Sequence, residues 1–141
     1  MQIFIILLIL GLQTLANIEY QVLTEVWCIN KACFNLEIAS SQEEKAKGLM
    51  YRNSISPYRG MKFNWEKEEI RLMWMKNTYT PLDILWVNKN NIIIDIKENV
   101  PSNNTNIIKS NKKAKFIIEL ASSTAKKNNI KIGQILTKSN F

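Results

Sequence analysis

No histidine occurs anywhere in the 141 residues. Its absence removes the commonest general base of nucleophilic triads and the commonest metal ligand. Cysteine is almost as scarce. Cys28 and Cys33 are the only two, they are not spaced as the C-x-x-C of a redox centre, and without histidine they do not complete a tetrahedral zinc site. With only 4 glycines and 3 prolines, neither a phosphate-cradling glycine loop nor a nucleophile elbow can be traced. Long apolar runs are missing beyond the first dozen residues, and internal repeats and linkers are missing throughout.

What is there starts with Ile3 to Leu12, uncharged and almost wholly aliphatic, followed by Thr14-Leu15-Ala16 and then the polar Asn17-Ile18-Glu19. This is the pattern of a secretory signal with a small-x-small site, although no Lys or Arg precedes it. The run is shorter than the roughly 20 residues of a spanning helix. The expected division is a signal peptide over 1–16, cleaved after Ala16, and a single domain over 17–141. The product would be exported, periplasmic or extracellular, with no stable membrane span; the alternative is an uncleaved N-terminal tether. No cysteine follows the run closely enough to take a lipid.

Basic residues outnumber acidic ones by 19 to 12, a formal net charge of +7. Such a surface can meet nucleic acid, anionic lipid or an acidic glycan. The lysine clusters at Lys109, Lys112, Lys113 and Lys115 and at Lys126 and Lys127 lack the aromatic interleaving of a nucleic-acid reader, so nucleic acid is not an expected partner. Lysine, asparagine and isoleucine are over-used along the whole chain, which makes part of the charge compositional. Hydrophobic content of 46% with 22% charged residues is that of an ordinary globular domain.

Tyr20 to Ile29 and Ala32 to Ala39 read as strands, the second alternating Phe34, Leu36 and Ile38 with Asn35 and Glu37 around an Asn30-Lys31 turn. In that hairpin Ile29 faces Ala32 and Cys28 faces Cys33, close enough for a disulfide that an oxidising compartment favours. Ser40-Ser41-Gln42-Glu43-Glu44 holds two overlapping capping boxes and predicts a short helix with Ala46, Leu49 and Met50 on its apolar stripe. Further strands are expected at Met61 to Trp65, Ile70 to Met75, Ile84 to Val87, Ile92 to Lys97, Lys115 to Leu120 and Gln134 to Thr137. A polar loop spans Pro101 to Asn111, and a second short helix is expected at Ser122 to Asn128. The fold class is mainly β (α+β), a compact β-barrel or sandwich with one or two short edge helices.

Gly48-Leu49-Met50-Tyr51-Arg52, Gly60-Met61-Lys62-Phe63, Trp74-Met75-Lys76-Asn77-Thr78 and Pro81-Leu82-Asp83, with the later Glu119-Leu120-Ala121 and Ile130-Lys131-Ile132-Gly133, together resemble domain-of-unknown-function family 192 (DUF192). The order and spacing match over nearly all of the chain after residue 16. The resemblance implies a small, mostly β domain, frequently exported, with no established biochemical activity. This chain carries Ser122-Ser123 where the family commonly places a glycine, and Trp86 where an aromatic such as Phe is usual.

Arg52, Trp74, Lys76, Asn77, Thr78 and Asp83 are the candidate ligand-binding residues. Arginine offers planar paired donors to a carboxylate or phosphate, and Trp74 offers a wall for a sugar ring. A purely structural use is also open, with Asp83 paired to Arg52 or Lys76 and Asn77-Thr78 satisfying a turn before Pro81. The sequence names no catalytic residue and no resident cofactor or metal. An enzyme would have Asp83 or Glu119 as base, with Lys76 as electrostatic helper. Met50, Met61, Met73 and Met75 beside Trp74 admit a copper(I) site, against which stands methionine as core filler. The expected protein is therefore a binding or accessory module of the cell envelope for a small polar, anionic or sugar ligand. A hydrolase using Asp83 and a methionine copper(I) binder are the alternatives.

Overall fold

The computed structural model describes residues 21–140. The signal-peptide expectation and the predicted strand start at Tyr20 lie outside the described residues. Within them lies a seven-stranded sheet of β1 (Thr24–Ile29), β2 (Ala32–Ala39), β3 (Arg59–Glu69), β5 (Leu82–Val87), β6 (Ile93–Val100), β8 (Ala114–Ala121) and β9 (Thr137–Lys138). It runs in the order β6-β5-β8-β3-β2-β1-β9. β4 (Leu72–Met73) and β7 (Ile108–Lys109) pair as a separate two-stranded sheet. Helices α1 (Gln42–Lys47) and α2 (Thr124–Lys127) complete the described elements. The protein is mostly β, and its large sheet is curled into a half-barrel; that is the form the expected barrel or sandwich takes.

The hairpin forms in the expected register, with Cys28 opposite Cys33 and Ile29 opposite Ala32. The two cysteines are joined as a disulfide, and Asn30 turns the chain at φ 55. Closing so short a loop restricts the unfolded chain by only about 2 kcal/mol. Reduction, or the double change Cys28→Ser with Cys33→Ser, is therefore expected to lower Tm by several degrees without unfolding the protein, a result that calorimetry with and without reductant checks.

Helix α1 begins at the predicted capping box: Ser41 Oγ accepts from the Glu44 N–H at 3.1 Å, and Glu44 Oε2 accepts from the Ser41 N–H at 2.9 Å. The predicted stripe is only partly right. The helix ends at Lys47 and buries none of its residues, Ala46 is exposed, and Leu49 enters the core from the turn that follows.

Both faces of the sheet are covered, which is why β5 is buried at all six of its positions. Trp27, Phe34, Leu36, Leu85, Phe116, Ile118 and Leu120 pack with Ala125, Ile130 and Leu136 on one face. On the other, Met61, Phe63, Ile84, Trp86 and Ile117 pack with Leu49 and Met75. Gly60 lets β3 approach β8, since a Cβ there would lie 2.1 Å from the Glu119 carbonyl oxygen.

Three expectations need correction. The run Ile70 to Met75 is not one long strand, because only Leu72 and Met73 are laddered, to Lys109 and Ile108. Its alternation survives: Met73 and Met75 turn inward, as expected of methionine used as core filler, while Ile70, Leu72 and Trp74 are exposed. The second helix shortens to Thr124–Lys127 because Ser123 takes a left-handed conformation at φ 67. Glycine adopts that conformation freely, and the family places glycine near this point. The last strand shifts to Thr137–Lys138, preceded by an isolated Ile92–Ile135 bridge.

Candidate functional site

Two of the family-like segments meet across the edge of the fold. After α1, Gly48 turns at φ 49 and Tyr51 at φ 66. The Tyr51 N–H donates to the Asn77 carbonyl at 2.8 Å, Asn77 Nδ2 donates to the Tyr51 hydroxyl at 3.2 Å, and the Tyr51 and Tyr79 rings meet edge to face. The segment 48–52 is thereby stapled to the segment 74–79.

Between them lies a cleft of about 230 Å³, walled by α1 residues Lys45, Ala46 and Lys47, by Gly48, Leu49 and Met50, and by Phe63 and Trp65 of β3. Leu72, Met73, Trp74 and Thr78 close the opposite side, and Glu119 of β8 also lines it. Phe63 and Trp65 stack with centroids 6.5 Å apart. The Lys45 ammonium lies 5.0 Å from the Trp65 centroid and donates to the Asn64 carbonyl at 3.1 Å.

Glu119 is 4% exposed, and among the described residues no hydrogen bond or ion pair reaches its carboxyl group. Met61 and Ile84 flank it in register on the neighbouring strands, and a Cβ on Gly48 would lie 3.9 Å from its Oε2. Burial pushes this carboxyl up from 4.5 to about 8, so it is predominantly protonated at neutral pH, able to donate one hydrogen bond and accept others.

The predicted site residues do not converge. Only Trp74 and Thr78 line this cleft. Thr78 is buried and donates through Oγ1 to the Lys76 carbonyl at 3.2 Å. Trp74 is 42% exposed, with the Lys76 ammonium 5.2 Å from its ring centroid. Lys76 is exposed and does not line the cleft, and Asn77 is left-handed at φ 53 and engaged with Tyr51.

Arg52 pairs with neither Asp83 nor the cleft. Its guanidinium donates twice to Glu37, at 2.6 and 2.8 Å. The Arg52 hydrogen bonds hold the Glu37 carboxyl below its ordinary value, and Glu37 in turn raises Arg52.

Asp83, proposed from sequence as ligand contact or base, is fully buried, and three backbone N–H groups donate to it: Asn99 at 2.8 Å, Ser123 at 3.2 Å and Ala125 at 2.8 Å. It sits opposite Leu120, on the other face of the sheet from Glu119. A carboxyl group fully buried and holding three backbone N–H groups in this way binds the chain to itself rather than facing a substrate.

Of the methionines raised for copper, Met61 and Met75 are core residues, whereas Met50 and Met73 line the cleft. Wider hollows of about 680 and 460 Å³ lie beside the Cys33 turn and around Arg52. Neither contains an unpartnered buried acid among its lining residues.

A half-barrel sheet with a small aromatic cleft floored by one buried carboxyl group defines the class of the molecule. The chain belongs to the DUF192 family, described as Uncharacterized ACR, which matches residues 25–137. It is similar to the crystal structure of a proposed transcription regulator from Sinorhizobium meliloti 1021, at 30% identity and a TM-score of 0.82, over 85% of this chain and 97% of that one. A protein of unknown function from Novosphingobium aromaticivorans DSM 12444 is similar at 25% identity and a TM-score of 0.77, over 83% of this chain and 85% of that one. No curated protein matches the chain. No helix among the described residues is long and apolar enough to cross a membrane.

Proposed function

We propose that the protein is an exported binding or accessory module of the cell envelope that holds one small polar ligand in the Glu119 cleft. The observation that carries this reading is the Glu119 carboxyl itself, buried without a partner among the described residues while lining a cavity. With no protein partner and an opening onto the cleft, the carboxyl group is placed to exchange hydrogen bonds with a group that arrives from outside.

A cleft of about 230 Å³ has the scale of one sugar ring or a similar small molecule. The exposed Trp74 face supplies an apolar wall, Glu119 exchanges hydrogen bonds with a hydroxyl group, and Lys45 and Lys47 put positive charge at the rim for a carboxylate or phosphate substituent. Export draws support from the Cys28–Cys33 disulfide, a bond that persists in oxidising compartments. The transcription-regulator description of one relative suggests nucleic acid instead. Against that, the described helices are six and four residues long, too short to read a major groove in the usual way.

A hydrolytic reading needs a second acid or base near the first, and Asp83 is on the opposite face of the sheet. A methionine copper(I) site is the second reading, resting on Met50 and Met73 in the same cleft; copper(I) uptake under reducing conditions that is lost in Met73→Leu would favour it.

A thermal-shift series with neutral sugars, uronic acids, simple carboxylates and phosphate tests the main proposal. A ligand at a hundred times its Kd adds about 2.7 kcal/mol, on the order of 10 °C in Tm. That shift is expected for at least one sugar or sugar acid, and is expected to vanish in Trp74→Ala. No shift with any member, or a shift indifferent to Trp74→Ala, overturns the proposal.

A further inference from the structure

The alternation in segment 70–75 leaves an outward surface that the core does not cover and that only Leu72 and Trp74 share with the cleft. Met73 and Ile108 of the β4–β7 ribbon pack inward against the core. Their neighbours therefore face out: Ile70 is 43% exposed, Leu72 56%, Trp74 42% and Ile107 60%. Leu72 lies directly opposite Lys109 in the ladder, so apolar and cationic groups share one outer face. Four large apolar side chains cannot turn inward, because the ribbon's inner face is already committed. Soluble surfaces rarely keep such a patch without a use.

We propose that this outer face docks on an anionic lipid surface. Charge favours that occupant. Lys76 and Lys109 border the apolar residues, and Lys112 and Lys113 are exposed in the turn between β7 and β8. The nearby acid Glu69 is engaged by Arg71 at 3.1 Å. Trp74 with the Lys76 ammonium 5.2 Å from its ring centroid is the pairing suited to a membrane interface, where the indole sits at headgroup depth and the ammonium reaches the phosphates. The net charge of +7 acts in the same direction at longer range. Leu72 and Trp74 also line the Glu119 cleft, so docking brings the cleft mouth to the lipid surface. The inference does not depend on what the cleft holds.

The test is co-sedimentation of the full chain with phosphatidylcholine vesicles, with and without one third phosphatidylglycerol. Binding is expected to need the anionic lipid and to weaken as salt is raised. Leu72→Ser with Ile107→Ser is expected to weaken it about tenfold or more by removing inserted apolar area. Lys76→Ala with Lys109→Ala is expected to weaken it by about an order of magnitude at low salt. Both pairs are exposed, so thermal melts should show each variant folded. Glu119→Gln should leave vesicle binding unchanged, which separates this result from the fate of the cleft proposal. Absence of vesicle binding, binding indifferent to lipid charge, or binding unaffected by the Leu72 and Ile107 changes overturns the inference. The last outcome would assign any binding to the apolar N-terminal run instead.

Discussion

Glu119→Gln is expected to remove a loss of stability that the wild-type protein suffers as pH rises from about 4.5 to about 8. In the unfolded chain this carboxyl ionises near its ordinary value of 4.5, whereas burial in the folded protein holds it protonated up to about 8. Between those values the folded state binds more protons than the unfolded state, so stability falls with rising pH, by at most about 1.4 kcal/mol per unit. The loss is complete above about pH 8 and reaches several kcal/mol, with about 5 kcal/mol as the ceiling set by the full shift. Glutamine keeps the size and polarity and cannot ionise.

Other shifted groups do not imitate this effect. Glu25 is depressed to about 2: desolvation, its largest single influence, acts upward, but hydrogen bonds from Lys138, Trp27 and Lys62 together outweigh it. Glu37 is depressed by Arg52. The contributions of both carboxylates are present above about 4.5 and are lost only as pH falls below it. Lys62, lowered by burial, contributes increasing stability as pH rises toward the ordinary lysine value, and does so in both proteins. The measurement is therefore the difference between wild type and variant in urea titrations at pH 4.5, 6, 7 and 8. It should widen steadily in favour of the variant. Parallel curves would mean that the carboxyl is not held protonated, and would remove the physical basis of the cleft.

Nothing local in the sequence marks Glu119 as the cleft's acid. The residues Phe116, Ile117, Ile118 and Leu120 around it are all buried, and a single acid inside such a run was the available signal. In the sequence Glu119 stands out only as a possible base and as part of the family-like Glu119-Leu120-Ala121 word. The period-2 pattern says that Glu119 shares a face with Ile117, and it does not say whether anything covers that face. The partners that decide this, Gly48 and Phe63, come from distant segments.

Local chemistry was far more legible. The hairpin register around Cys28 and Cys33 and the Ser41 capping box depend on neighbours a few residues apart, and both formed as read. The 70–75 segment failed for the converse reason. Apolar residues occupy both of its faces, so periodicity could not choose the inner one, and that choice was made by the pairing of β4 with β7. The family-like words likewise mix purposes. Gly60 permits strand contact, Tyr51 and Asn77 staple two loops, and only Trp74 and Thr78 of the six chosen residues reach the cleft.

Asp83→Ala should produce the largest destabilisation of any single change at the candidate residues. The Asp83 carboxyl accepts from Asn99, Ser123 and Ala125, and two of these donors, Asn99 at φ 51 and Ser123 at φ 67, are left-handed residues without the freedom of glycine. It thus fastens the end of β6 and the entrance of α2 to β5 and holds two residues in conformations they adopt reluctantly on their own. The buried Ala125 N–H stranded by its removal costs about 1–3 kcal/mol, and the two part-buried N–H groups add smaller losses, so the sum is a substantial part of the roughly 5–15 kcal/mol that stabilises a domain. Asp83→Ala is expected to lower Tm by more than about 15 °C or to prevent folding. Asp83→Asn, which retains one acceptor oxygen but turns an amide donor toward the remaining N–H groups, should fall between. Arg52→Ala is the control, because its half-exposed pair with Glu37 is worth about 1 kcal/mol or less. Melting curves with near-ultraviolet circular dichroism read all three. A cost for Asp83→Ala as small as that of Arg52→Ala would show that the three N–H groups find other partners, and would return Asp83 to the functional candidates. The expected large cost has the opposite consequence: any activity lost with Asp83 reflects the fold, and the search for ligand contacts belongs with Glu119, Trp74 and Thr78.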